Sequence, residues 1–105
     1  MYKIAICDDQ RITIDHISEF IMKRFNEQCR VFKFTTPKEL EHYVNNVLKG
    51  DLDILIIDID LITDNGVRVA ERLKANFLHI RVIFISGQIQ FVRAVYEYRA
   101  VDKSK

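Results

Sequence analysis

Residues 54–60 read ILIIDID, four aliphatic residues followed by two aspartates that flank an isoleucine. An uninterrupted apolar run such as residues 54–57 is typical of a strand in the middle of a parallel sheet, covered on both faces. Apolar runs of similar length at residues 3–7, 31–34 and 82–85 predict three more strands. We therefore expect a sheet with the 54–57 strand near its centre.

Stretches with apolar residues at helical spacing separate these runs. The residues that define the four helical stretches are Ile14, Ile17, Ile21 and Phe25; Leu40, Tyr43, Val44, Val47 and Leu48; Ala70, Leu73 and Phe77; and Val92, Val95 and Tyr96. Alternating strands and helices predict one α/β domain over residues 1–105, a flavodoxin-like, doubly wound parallel sheet. Its expected strand order is 2-1-3-4.

The second helix has the clearest boundaries. Thr36 can cap it, Pro37 suits its first position, and Glu39 completes a capping box. Gly50 is expected to end it.

Composition narrows the class of protein. The 105 residues are 49% hydrophobic and 30% charged, with a net charge of +1, which is ordinary for a globular domain and argues against a dedicated nucleic-acid-binding module. Because no apolar run is long enough to span a bilayer and no signal-peptide pattern is present, the expected location is the cytoplasm, without membrane contact. Cys7 is interpreted as a core residue rather than a disulfide partner.

Three predicted strands end in residues that can carry chemistry. The first ends at Asp8 and Asp9, the third at Asp58, and the fourth at Ser86. In an open parallel sheet, ligands bind beyond the carboxyl ends of the strands near the switch in strand order, so these groups should converge.

Carboxylates that converge repel one another unless a cation joins them, and Mg²⁺ suits a few oxygen ligands plus water. An ionised, oriented Asp58 is then a competent phosphoryl acceptor. Ser86 would donate its hydroxyl to a phosphoryl oxygen, and Gly87 would leave space for that group.

Each feature also has a local interpretation. Asp9 could be only the N-cap of the first helix, and residues 58–60 could form only a turn. Residues 86–87 alone also suit a turn. Arg72 is interpreted as part of an ordinary solvated helix face. The coincidence of acids and a hydroxyl at successive strand ends favours the functional interpretation.

The sequence CDD at residues 7–9, LIIDIDL at 55–61 with Gly66 eight positions past Asp58, and IFISG at 83–87 resemble the receiver domain of two-component response regulators. The resemblance covers essentially the whole chain. The Asp-Ile-Asp form of the central motif is similar to receivers joined to LytTR-type DNA-binding domains.

This resemblance implies roles for individual residues. Asp58 matches the phosphorylated aspartate, Asp9 the direct Mg²⁺ ligand and Asp8 the acid that holds the metal partly through water. Asp60 stands where the family supplies a backbone carbonyl to the metal. Ser86 matches the hydroxyl residue that follows the phosphoryl group and starts the conformational switch.

The sequence departs from the family pattern in three places. Ile62 stands where a proline is usual, so a looser loop is expected. The family's lysine at the end of a fifth strand has no clear match, although Lys103 or Lys105 could replace it. The aromatic switch residue has no match. The fifth strand and last helix are thus expected to be largely missing, with self-association through the exposed sheet edge or the fourth-helix face.

The resemblance implies a sensor histidine kinase as partner, and contact with DNA only through an output domain outside these residues. It implies a phosphoacceptor rather than an enzyme. Two alternatives remain open at this point: a receiver-like interaction module that works without phosphorylation, and a haloacid-dehalogenase-like phosphatase, whose nucleophile motif resembles residues 58–60.

Overall fold

The computed structural model describes residues 1–86, and all neighbouring strands within them are parallel. The strands are β1 (Tyr2–Cys7), β2 (Cys29–Phe34), β3 (Ile54–Asp58) and β4 (Arg81–Ile85). Their order is β2-β1-β3-β4, which confirms the predicted sheet. The predicted fourth helix and the fifth-strand region lie outside the described residues.

Helices cover both faces of the sheet, as a doubly wound fold requires. They are α1 (Arg11–Phe25), α2 (Pro37–His42), which continues as a π-helical turn (Tyr43–Val47), and α3 (Gly66–Asn76). A short 3₁₀ turn (Asn26–Gln28) follows α1. In the described part of the chain, none of the helices has the length and apolar character needed to cross a bilayer.

The two faces of the sheet bury separate sets of side chains, because alternate residues of a strand point to opposite faces. α1 packs Ile14 and Ile21 on the face formed by Ile4, Ile6 and Ile56. The opposite face is covered by α2 and α3, with these fully or nearly buried residues: Ala5, Cys7, Leu40, Val44, Leu55, Ile57, Val69, Ala70, Leu73 and Phe84. Since both faces are apolar, β1 and β3 are held tightly in the middle of the fold.

The second helix begins as predicted, but its last part is not a regular α-helix. The Thr36 hydroxyl accepts from the Glu39 N–H at 3.2 Å, which confirms the cap. The helix then widens into the π-helical turn, where the side-chain amides of Asn45 and Asn46 donate to the carbonyls four residues earlier and so compete with regular helical bonding. Gly50, at φ 82°, follows as the predicted stop.

The first turn of α3 lies very close to the backbone at the end of β3, at the edge of the sheet where the carboxyl ends of the strands lie (the carboxyl edge). Asn65 caps the helix by accepting from the Val67 N–H at 2.8 Å, and the Gly66 N–H donates to the Ile59 carbonyl at 2.8 Å. A Cβ on Gly66 would lie 2.0 Å from the carbonyl oxygen of Asp58. The first turn of α3 can therefore rest on the end of β3 only if residue 66 has no side chain.

Gly66→Ala is expected to destabilise the fold by about 2 kcal/mol or more, because backbone atoms on both sides must move to admit the methyl group. Urea unfolding followed by circular dichroism measures this. Glu71→Ala, on the exposed side of the same helix, is the control and should stay within about 0.5 kcal/mol of the parent. Equal stability of the Gly66 variant and the parent would contradict the expectation.

Candidate functional site

Strand register brings the predicted site residues to one edge. Cys7 is paired with Ile57 in the β1–β3 ladder, so Asp8 continues from β1 at the level where β3 reaches Asp58. Asp58 is in turn paired with Ile85 of β4, and Ser86 follows directly. The three strand ends therefore meet side by side, although the residues are far apart in the chain.

Asp58 and Asp8 are acids in a buried setting. Their exposed fractions are 9% and 5%. The pKa of Asp58 is raised to about 6, mainly by burial and also by the carboxyls of Asp8, Asp60 and Asp9, while a hydrogen bond from the Asp60 N–H to Asp58 Oδ1 at 3.1 Å opposes the rise. Burial and the neighbouring Asp9 likewise raise the pKa of Asp8, whose Oδ1 accepts from the Gln10 N–H at 2.8 Å. Both carboxyls resist ionisation in this crowded edge.

Asp9 is not the cap of α1. The N-cap is Gln10, which makes no side-chain cap bond, and Asp9 Oδ2 instead accepts from the Ile62 N–H at 3.0 Å. This bond ties the end of β1 to the loop that follows β3. The local interpretation of Asp9 is therefore wrong.

Residues 58–60 form a turn, as the local interpretation predicts, because the Asp60 N–H donates a hydrogen bond to Asp58 Oδ1. Asp60 also forms an isolated antiparallel bridge with Asn65 across the loop. Ser86 is partly buried just beyond β4. Gly87, Lys103 and Lys105 lie outside the described residues, so their predicted roles stay predictions.

The charge at this edge is negative. Within residues 1–86, none of the ion pairs involves Asp8, Asp9 or Asp58. The same field contributes to the pKa of Cys7, which burial first and then these three acids raise to about 12. Cys7 is a fully buried free thiol, in agreement with its interpretation as a core residue.

The donor set is small. Among the described residues, no group of three or more His, Cys, Asp and Glu side chains is arranged to hold a metal ion by itself. A Mg²⁺ site needs only one or two carboxylates, with water and carbonyl oxygens completing its shell. Crowded carboxyls with raised pKa values and no cation paired to them fit a site of that kind.

One feature near this edge was missed from the sequence. Arg72 lies on the exposed face of α3, as predicted, but it also pairs with Glu41 of α2 and with Asp64 of the loop after β3. Arg72 and Glu41 are 31 positions apart, so no local spacing signals the contact.

Comparisons with known proteins show the family to which the chain belongs. The model of the response regulator receiver domain family matches residues 4–103. The transcriptional regulatory protein NatR of Bacillus subtilis (strain 168) is 32% identical over 87 residues, which are 83% of this chain and 36% of NatR. The sensory transduction protein LytT of the same organism is 24% identical over 102 residues, 97% of this chain and 41% of LytT. The chain thus spans about two fifths of these relatives.

Solved structures share the fold. A response regulator receiver domain protein from Clostridium thermocellum has a TM-score of 0.71 at 20% identity, covering 95% of this chain and 76% of that one. An uncharacterised protein from Neptuniibacter caesariensis has a TM-score of 0.75 at 18% identity, covering 98% and 70%. At these identities the likeness concerns the fold alone. Since the family model matches nearly the whole chain and the strand ends bring its acids together, this chain belongs to the receiver domains of two-component response regulators.

Proposed function

We propose that Asp58 of this receiver domain accepts a phosphoryl group from the phosphohistidine of a sensor histidine kinase, with Mg²⁺ as the cofactor. The observation that carries the proposal is the burial of the Asp58 carboxyl beside those of Asp8, Asp60 and Asp9, which raises its pKa to about 6. Burying an acid among other acids destabilises a fold, so an acid in such surroundings is a candidate functional residue.

Mg²⁺ would be held by the carboxylates of Asp9 and Asp58, by Asp8 through water, and by the backbone carbonyl of Asp60. When bound, the ion makes these carboxyls easier to ionise and withdraws charge from phosphoryl oxygens. The support lies in the chemistry of the donors: hard oxygens, raised pKa values, and no cation paired with them in residues 1–86.

The two oxygens of Asp58 have different surroundings. Oδ1 is fixed by the Asp60 N–H, and no group in residues 1–86 donates a hydrogen bond to Oδ2. Oδ2 is therefore the proposed nucleophile. As its bond to phosphorus forms, the phosphorus–nitrogen bond of the donor breaks, and that electron pair stays on the histidine nitrogen.

The product adds negative charge and acceptor oxygens at the end of β3. The Ser86 hydroxyl, adjacent to Asp58 by strand register, would donate to one of these oxygens and begin the switch. Lys103 or Lys105 would balance the added charge. Because the named relatives are regulators of transcription or sensory transduction, we include a role in transcription control, with DNA contacted by a separate output domain.

Of the alternatives, the dehalogenase-like phosphatase has lost its support, because the chain matches the receiver family and its acid motif ends the third strand. The interaction module that works without phosphorylation would share this fold, so phosphorylation itself must be tested.

We also propose that the domain self-associates. Ile83 and Ile85 of β4 are only partly buried, on the face of the sheet that α1 covers elsewhere. Partly exposed isoleucines on a strand favour contact with a second chain. The fourth-helix face, the other predicted contact, lies outside the described residues.

Incubation with acetyl phosphate and Mg²⁺ is expected to add one phosphoryl group, seen as a mass gain of the intact protein. Asp58→Asn should abolish the gain because it removes the nucleophile. Asp15→Asn makes the same chemical change on the exposed face of α1 and should keep it. An unmodified parent, or equal modification of the Asp58 variant, would favour the interaction-module alternative.

In metal-free solution, Asp58→Asn is expected to raise the free energy of unfolding above about pH 6. The folded state holds a proton on Asp58 up to about pH 6, whereas the unfolded chain releases it near pH 3.9. The stability associated with this proton is complete below about pH 4 and is lost as the pH rises through about 6, so the advantage of the variant should grow across that window. Thermal unfolding at a series of pH values with EDTA tests this. An advantage of constant size across the window would contradict it.

Light scattering at increasing protein concentration is expected to give a mass above that of one chain. Ile83→Thr, which keeps a β-branched residue but removes apolar surface, should lower the association. A monodisperse monomer at the highest concentration would rule out the self-association.

A further inference from the structure

Arg72 of α3 connects its own helix to α2 and to the loop that follows β3. Its Nε donates to Glu41 Oε1 at 2.9 Å and its Nη2 to Glu41 Oε2 at 2.9 Å, a bidentate pair with α2. The same Nη2 donates to Asp64 Oδ2 at 2.6 Å. Asp64 belongs to the loop of residues 59–65, which runs from the end of β3 to α3 and is called here the β3–α3 loop.

The β3–α3 loop is held on its other side by the acidic edge itself. The Ile62 N–H donates to Asp9 Oδ2, two residues from the Asp64–Arg72 contact. Asp64 Oδ1 accepts from the Asn65 N–H at 2.8 Å, so the carboxylate that meets Arg72 also shapes the turn into α3. One loop is therefore fixed at one point by a proposed metal ligand and at another by Arg72.

We propose that Arg72 is a positioning residue for the phosphoryl-accepting site: through Asp64 it holds the β3–α3 loop in the conformation in which Ile62 binds Asp9 and the Asp60 backbone faces Asp58. This inference rests on the proposed phosphorylation of Asp58. The sequence predicts a loose loop, because Ile62 stands where the family usually has a proline. The contact between Arg72 and Asp64 would restrain the loop in place of that proline.

The geometry requires arginine. A planar guanidinium can pair with one carboxylate through two nitrogens and still donate to a second, whereas an ammonium group is a point charge without a fixed fork. Nη2 of Arg72 donates both to Glu41 and to Asp64, so one guanidinium contacts two carboxylates that lie on different elements. The side chains of Glu41 and Asp64 are 23% and 28% exposed and that of Arg72 is 48% exposed, so the two ion pairs lie at a partly exposed surface.

The two acids separate a local role from a merely stabilising one. Glu41 lies in α2, so its pair with Arg72 connects α2 to α3. Asp64 lies in the β3–α3 loop, so its pair with Arg72 connects that loop to α3. Asp64→Asn removes the charged contact but keeps a side-chain oxygen for the Asn65 N–H. Glu41→Gln removes the negative charge of the other carboxylate that pairs with Arg72 and changes no residue of the loop, so it is the matched control.

Hydrogen exchange of the Ile62 amide is the direct readout, because that N–H reports the bond to Asp9. Asp64→Asn and Arg72→Gln are expected to speed its exchange by about two- to fivefold, the range that loss of a partly exposed ion pair permits. Glu41→Gln should leave it near the parent value. The double variant Asp64→Asn/Arg72→Gln should exchange no faster than either single variant, because both act through one contact.

The rate of phosphorylation by acetyl phosphate is the second readout, expected to fall by a similar factor in the two loop variants and to stay unchanged in Glu41→Gln. If the parent is not phosphorylated at all, the proposed function fails and the positioning role fails with it, whatever the exchange result. If the parent is phosphorylated, an unchanged Ile62 exchange and rate in Asp64→Asn would overturn the positioning role alone. Equal effects of Glu41→Gln on both readouts would overturn it too, since they would indicate a general loss of stability.

Discussion

The parallel pairing of β1 with β3 is the constraint on which the site depends. Both strands have helices on both sides, and residues such as Ile6 and Ile57 are fully buried, so neither strand can shift without exposing apolar surface and breaking backbone hydrogen bonds. With Cys7 opposite Ile57, the chain must leave both strands at the same edge. Asp8 and Asp58 are therefore held close together by the core, despite their repulsion.

The acids at the carboxyl edge of the sheet and the acids that pair with Arg72 have different electrostatic surroundings. Beside the edge, one guanidinium pairs with both Glu41 and Asp64, and the pairing with Arg72 lowers the pKa of Asp64. At the edge, burial and neighbouring carboxyls raise the pKa values of Asp8 and Asp58. Aspartate is thus stabilised as an anion beside Arg72 and destabilised as an anion at the carboxyl edge. The acids at the carboxyl edge, which have no cation paired to them in residues 1–86, are the ones suited to bind a metal ion.

Local turns and functional geometry coincide in this site. The bond from the Asp60 N–H to Asp58 Oδ1 is an ordinary turn contact, yet it also fixes one oxygen of the proposed nucleophile and leaves the other facing away from that bond. Gly66 permits the arrangement, because the first turn of α3 rests directly on the carbonyl of Asp58. A turn interpretation and a chemical one are thus compatible here.

The sequence by itself determined the elements and the edge at which chemistry should occur. Alternating periodicities predicted four strands in the order 2-1-3-4, the Thr36 cap was read from neighbouring residues, and Asp58 was singled out because it ends a buried run. Each of these depends on contacts close in sequence or on the general rules of parallel sheets. Only the tertiary structure decided that Asp9 binds the Ile62 amide and that Arg72 joins Glu41 to Asp64. Those partners are brought together by strand register and helix packing, and periodicity indicates which face a residue occupies but not which distant residue it meets there.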